Sequence, residues 1–430
     1  MSTNLVLRAA VALAAAAAFS SLPAADGSRA LPRVVSENPV NSTPNVLDDA
    51  TVKQSAVYAI RQAGATMYAG GTFHAVQNSS STNATHHVLT RNNLFAFSAR
   101  GGEVRRRFKP DVNGAVWALQ PYRNKLFVAG DFSSVDGVRR VGIAKIDTST
   151  GRVIRSFDAK LGSGRVTEMR LVKGRLVIGG TFPGKLVALD PRTGRNTHYI
   201  DVSVTGSVAA NAGPVSVYRF AVSPAGHRLV AVGNMTHVAG HARSRAFMLD
   251  LGRSKATLAS WYYKPFGSHC KNAKTPDNLR DVDFSPTGGY FVIVAGGYVS
   301  LPGDLGRTVC DAAARFETTI AHPKRPTWIN YTGGDTLQSV AVTGSAVYVQ
   351  GHQRWLDNPL GKDSAGPGAK KRPGIGAIDS RSGKALGWNP TKSRRVGGKD
   401  FLVTRRGLWV ASDGPHINQE LHEDIALLPE

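Results

Sequence analysis

Between Gly351 and Gly374 the chain reads GHQRWLDNPLGKDSAGPGAKKRPG, a stretch dense in groups that can do chemistry. His352 can move a proton, Arg354 can hold an anion, and Trp355 offers a flat face on which a sugar ring can stack. The link before this stretch brings Asp335, and Asp413 holds the matching place in a later unit. A histidine with two carboxylates suffices for acid–base chemistry on a polysaccharide. The same residues also suit a binding site, or a packing cluster in which Arg354 neutralises a carboxylate and Trp355 covers it. Glycoside hydrolysis needs its carboxyls about 5–9.5 Å apart, and no spacing along this chain establishes that. The catalytic candidates are His352, Asp335 and Asp413. The ligand-binding candidates are Arg354, Trp355, Lys370, Lys371 and Arg372.

Other motifs carry less. GGTFPGK at Gly179–Lys185 matches most of a phosphate loop, but Leu186 stands where the metal-binding hydroxyl belongs, and a strand pattern follows instead of a helix. His237 and His241 are four apart in HVAGH, a metal-pair spacing only on a helix, and Gly240 argues against one. The sequence has no GxSxG elbow. The D-x-x-T-G turns bring quinoprotein propellers to mind, yet no aromatic docking signature recurs. No cofactor and no metal is expected.

These residues must be positioned by short strands. Runs of five to eight apolar residues, bounded by Gly, Asp, Asn and Ser, recur along the chain. They group into units of roughly 45–60 residues with four strand-like runs each. In the second unit the runs are AVWALQP, KLFVAGD, VGIAKID and VIRSFDA. The turns DTSTG, DPRTG and DSRSG join third to fourth runs, with Asp to bond back to the backbone and Gly to tolerate positive φ. The last unit, from FLVTRRG to DIALLPE, has only three runs; PRVVSENPV near the start supplies a fourth. The pattern predicts an all-β fold: a seven-bladed β-propeller of four-stranded antiparallel blades, its ring closed by N- and C-terminal segments sharing the last blade. The phrases AGGTF, AGDF, IGGTF and VGNM then fall at second-strand exits on one face, where their glycines let the chain turn.

The same face receives Cys270 and Cys310, for which a disulfide is expected. The N-terminal MSTNLVLRAAVALAAAAAF reads as a leader with an apolar stretch too short to span a membrane. Residues 1–30 are assigned to it and residues 31–430 to a single propeller domain. The formal charge of +23 in 430 residues points to anionic surroundings. No nucleic-acid motif accompanies it, and aromatics do not interleave with the basic runs.

The phrases YAGGTF, VAGDFSSVDG, CDAAARFE, GHQRW and GLWVASD resemble secreted β-propeller proteins of the delta-sixty repeat kind, common in actinobacteria and often fused to polycystic-kidney-disease-type modules. The resemblance covers nearly all of residues 31–430. It implies the propeller fold and an extracellular setting, and brings no activity with it. The expectation is a secreted, monomeric, non-catalytic binding or scaffold protein. It would engage a glycan, an anionic cell-wall polymer or a protein partner through its top-face loops. The alternative is an extracellular polysaccharide hydrolase or lyase with its site at the channel mouth.

Overall fold

The computed structural model describes residues 29–78, 88–271 and 278–430, so the expected leader falls almost wholly outside the described residues. The chain is all-β, built from antiparallel sheets. Seven principal sheets follow one another along the sequence, with first strands Ala56–Ala63, Ala115–Tyr122, Val166–Val172, Ser216–Val222, Leu279–Phe284, Leu337–Val342 and Asp400–Thr404. In each, the first strand pairs with the second and the second with the third.

The fourth and fifth sheets have a regular fourth strand, at Ala256–Leu258 and Trp328–Tyr331. In the first, second, third and sixth sheets, the outermost segment is reduced to one bridge, such as Phe97 with Val104 or Ile146 with Val153. In the seventh, that place is taken by the chain start. The Ser36 N–H donates to Pro429 O at 2.7 Å and the Val40 N–H to Leu427 O at 2.9 Å.

Alternation along the strands explains the core. In the second strand of sheet two, Leu126 and Val128 point towards sheet one, and Phe127 and Ala129 towards sheet three. Seven apolar clusters result. Each is shared by two successive sheets, and one joins the seventh to the first through Trp409, Leu427, Ile60 and Phe95. First strands likewise adjoin first strands in sequence order, with that of sheet seven against that of sheet one.

The recurring glycine is explained by crowding. Gly71, Gly130, Gly180, Gly233 and Gly351 lack positive φ; a Cβ on each would come within 1.9–2.2 Å of a carbonyl oxygen on or beside the first strand. They permit close approach of two strands, and the expected sharp turn is not their role. The Asp turns match expectation. The carboxylates of Asp147, Asp190 and Asp379 each accept backbone N–H groups two and three residues on, and Gly151, Gly194 and Gly383 take φ of 75°, 82° and 72°.

Candidate functional site

Asp335 lies in the link between the fifth and sixth sheets and is buried, with 4% of its side chain exposed. Arg354 grips it by both arms of the guanidinium, Nε to Oδ2 at 2.8 Å and Nη2 to Oδ1 at 3.0 Å, and its backbone N–H adds a third bond at 2.9 Å. Arg394 approaches at 3.5 Å and His352 Nε2 at 4.0 Å. Burial lowers the pKa of His352, and Arg394 and Arg354 lower it further, against the opposing pull of Asp335 and of a backbone bond to Val396. The Arg354 guanidinium lies 4.5 Å from the centre of the Trp355 ring. The insertion is thus fastened to the preceding link by a forked ion pair. Asn358, fully buried, adds bonds to Thr332 O, Ser364 O and the Gly366 N–H.

Asp413 does not share these partners. It is 1% exposed, accepts the Gly397 N–H at 3.1 Å, and sits 3.6 Å from Lys399 Nζ. Near it, Asp424 accepts a bond from Ser55 at 2.7 Å and is raised by burial well above the usual carboxylate range, while burial lowers Lys392 to about 8.

The basic candidates divide. Lys370 and Lys371 form a short strand against Trp355–Leu356, and both are exposed. Arg372 is turned inward and donates from Nε and Nη2 to Leu386 O. Arg91, Arg140 and Arg243 do the same, each reaching carbonyls of the segment that follows its sheet's third strand. Each of the four also donates from Nη1 to the carbonyl of the residue before it. Part of the positive charge therefore serves the fold as a repeated carbonyl anchor. Its trace in the sequence is an arginine two residues before a positive-φ position: Asn93, Gly142, Arg245 and Gly374.

The expected disulfide is present. Cys270 and Cys310, Cα atoms 5.8 Å apart, tie the segment after the fourth sheet to the loop leaving the fifth sheet's second strand. His237 and His241 lie exposed on opposite strands of a small hairpin. Among the described residues no three ligating side chains gather around a point that could hold a metal ion, and no helix is long and apolar enough to cross a membrane.

The central feature is a set of first-strand residues missed by the sequence reading. Register shifts fall after Val57, Val116, Val166, Val217, Leu279 and Leu337, leaving Tyr58, Trp117, Thr167, Tyr218, Arg280 and Gln338 out of register. Such bulges redirect a side chain. The residues after them bring charged side chains of several sheets together. There Arg219 and Arg170 pair with Glu168, and Arg61 pairs with Asp400. Arg219 also reaches Lys399 O, from sheet four to sheet seven, at 3.4 Å. Burial opposes ionisation of Glu168, yet Arg170, Arg219 and Arg61 outweigh it and hold its carboxyl below the usual range. Asp281 and Asp283 are pushed up to about 7 by burial. Both also accept a backbone N–H from the sixth sheet, Val340 at 3.0 Å and Val342 at 2.8 Å.

Beside this cluster the out-of-register residues form an aromatic and cationic rim. Tyr58 stacks on Trp117, centroids 4.3 Å apart and planes 7° from parallel. Arg165 sits 5.8 Å from the Trp117 centroid, and Lys399 Nζ sits 5.8 Å from that of Tyr58. The signal for the bulges was available. Val57 and Ile60, Val116 and Leu119, or Leu337 and Val340 are buried partners three apart, where an unbroken strand would space them by two.

No protein-family model and no curated protein matches this chain. By structure it is similar to the computationally designed Ika8 protein, at 11% identity and a TM-score of 0.47, with 90% of this chain and 98% of that one covered.

Proposed function

We propose that the seven sheets are blades of a single propeller and that the protein is a secreted, non-catalytic binder of anionic polymers such as acidic glycans or wall polymers. The cyclic order of the seven shared cores and the bonding of the chain start to the last strand support the architecture. It would be refuted by a crystal structure with another number of sheets around the axis. The disulfide is consistent with secretion. The resemblance to delta-sixty repeats is supported by the way the glycine phrase recurs at every second-strand exit from the first to the fourth sheet and again in the sixth.

One observation carries the functional reading. On the face where second strands exit, the candidate carboxylates are buried and paired, while Lys370 and Lys371 stand exposed with no acidic partner among the described residues. A surface of unmatched cations attracts polyanions, with an affinity that falls steeply as salt rises. The hydrolase alternative has less support. Both Asp335 oxygens are occupied by Arg354, Asp413 is buried, and Glu168 and Asp400 are tied up in ion pairs with arginines.

The test is retention of the protein on isolated cell-wall material and acidic polysaccharides at low and high salt. Retention lost at high salt, and reduced in the Lys370→Ala/Lys371→Ala variant, is expected. Absence of retention at either salt level would sink the proposal. Arg372 is left intact because its side chain holds the fold.

A further inference from the structure

A cleft of about 160 Å³ opens on the rim where the third, fourth and fifth sheets meet. Arg165 lines it from the third sheet, Tyr218 from the fourth and Arg280 from the fifth, and no Asp or Glu lines it. Arg165 has one acidic neighbour, the exposed Asp131 at 3.7 Å. Arg280 has no ion pair among the described residues, and its Nε is buried without a hydrogen-bond partner. A buried guanidinium N–H left unsatisfied is costly, and the two arginines share this cleft with only the exposed Asp131, beside Arg165, as an ion-pair partner among the described residues. An anion entering the cleft would offset the positive charge that the two arginines bring to it. The planar arginine fork suits the paired oxygens of a carboxylate or phosphate. The half-buried Tyr218 ring supplies an apolar wall of the kind that the C–H face of a sugar packs against.

We propose that this cleft seats one anionic sugar unit, its charged group held by Arg165 and Arg280 and its ring against Tyr218. This rests on the polymer-binding reading above and narrows it from a charged face to a defined subsite. Lys370 and Lys371 act as the long-range attraction, and the cleft provides selectivity for anionic sugars over neutral ones.

The full chain is titrated calorimetrically with tetragalacturonate, glucose 1-phosphate and neutral maltotetraose, with tryptophan fluorescence recorded in parallel. Saturable binding of either anion, and none of maltotetraose, is expected; which anion binds tells a carboxylate site from a phosphate site. Arg280→Gln should weaken that binding roughly tenfold or more with an unchanged melting temperature, and Arg165→Gln is the second variant should the first fold poorly. Trp117→Phe should abolish the fluorescence change, because Trp117 lies against Arg165, while leaving binding intact. If wall polymer is retained but neither arginine variant alters anion affinity, or if maltotetraose binds equally well, the subsite is refuted and the broader reading stands. If neither wall polymer nor either anion binds, both fall together.

Discussion

Asp283 offers a direct test of the buried polar cluster formed by the first strands. Its carboxyl is buried in the first strand of the fifth sheet, with Oδ2 accepting the Val342 N–H at 2.8 Å. Burial is the largest influence on its pKa. The Val342 bond and Arg170 oppose it and the charge on Asp281 reinforces it, leaving the group at about 7 against 3.8 for an ordinary Asp. The folded protein therefore holds this proton more tightly than the unfolded chain does. Stability from this source is complete below about pH 4 and is lost as pH rises through about 7. The gap is worth at most about 4 kcal/mol. Asp283→Asn keeps an acceptor for Val342 and removes the titration. In urea unfolding the variant should equal wild type near about pH 3.5, draw progressively ahead of it from about pH 4 to about pH 7, and exceed it near about pH 8 by up to that amount. A variant offset from wild type by the same amount at every pH would refute the buried, proton-holding carboxyl.

Four further outcomes follow from ion pairing, packing and covalent constraint. Arg354→Ala leaves the buried Asp335 carboxylate without its fork and should cost about 3 kcal/mol, part of which Asp335→Asn recovers in the same background; denaturant titration of the single and double variants reads both. Gly130→Ala places a Cβ 1.9 Å from Ala115 O and should cost about 1–3 kcal/mol. Gly387→Ala, with open space around it, should leave the melting temperature almost unchanged. Replacing Cys270 and Cys310 by Ser releases a loop spanning 40 positions and should lower stability by about 2–4 kcal/mol, seen as a lower urea midpoint.

The strands were legible because their signals are local. Alternation in KLFVAGD and the DxxTG turns are properties of a few adjacent residues, and each reappears in the structure where the sequence places it. The disulfide was legible because both cysteines sit on loops that the strand order sends to one side. The rim was not. Tyr58, Trp117, Tyr218 and Arg280 come from four different sheets, and only the convergence of first strands brings them together. The bulge that turns them outward leaves a trace of one residue per strand. The clustered His352, Arg354 and Trp355 drew attention because they adjoin in sequence, yet Arg354 and Asp335 largely satisfy each other. Basic runs also misled in part. A formal charge says nothing of whether a guanidinium faces water or, like those of Arg140 and Arg372, a row of carbonyls.

The bonds from Ser36 and Val40 to the final strand join the two ends of the chain. The order of synthesis then becomes a constraint on folding. The segment Ser36–Val40 emerges long before its partner Ile425–Pro429, and all seven first strands are made in between. Intermediate sheets can assemble with their neighbours as they emerge, but Ser36–Val40 stays without its partner until Ile425–Pro429 has been made. A ribosome-stalled chain lacking Ile425–Pro429 should therefore leave Ser36–Val40 and the strand Gly407–Ala411 open to proteases, and protection should appear in one step once that segment is made. In this fold, an early segment is held in reserve for a partner made much later.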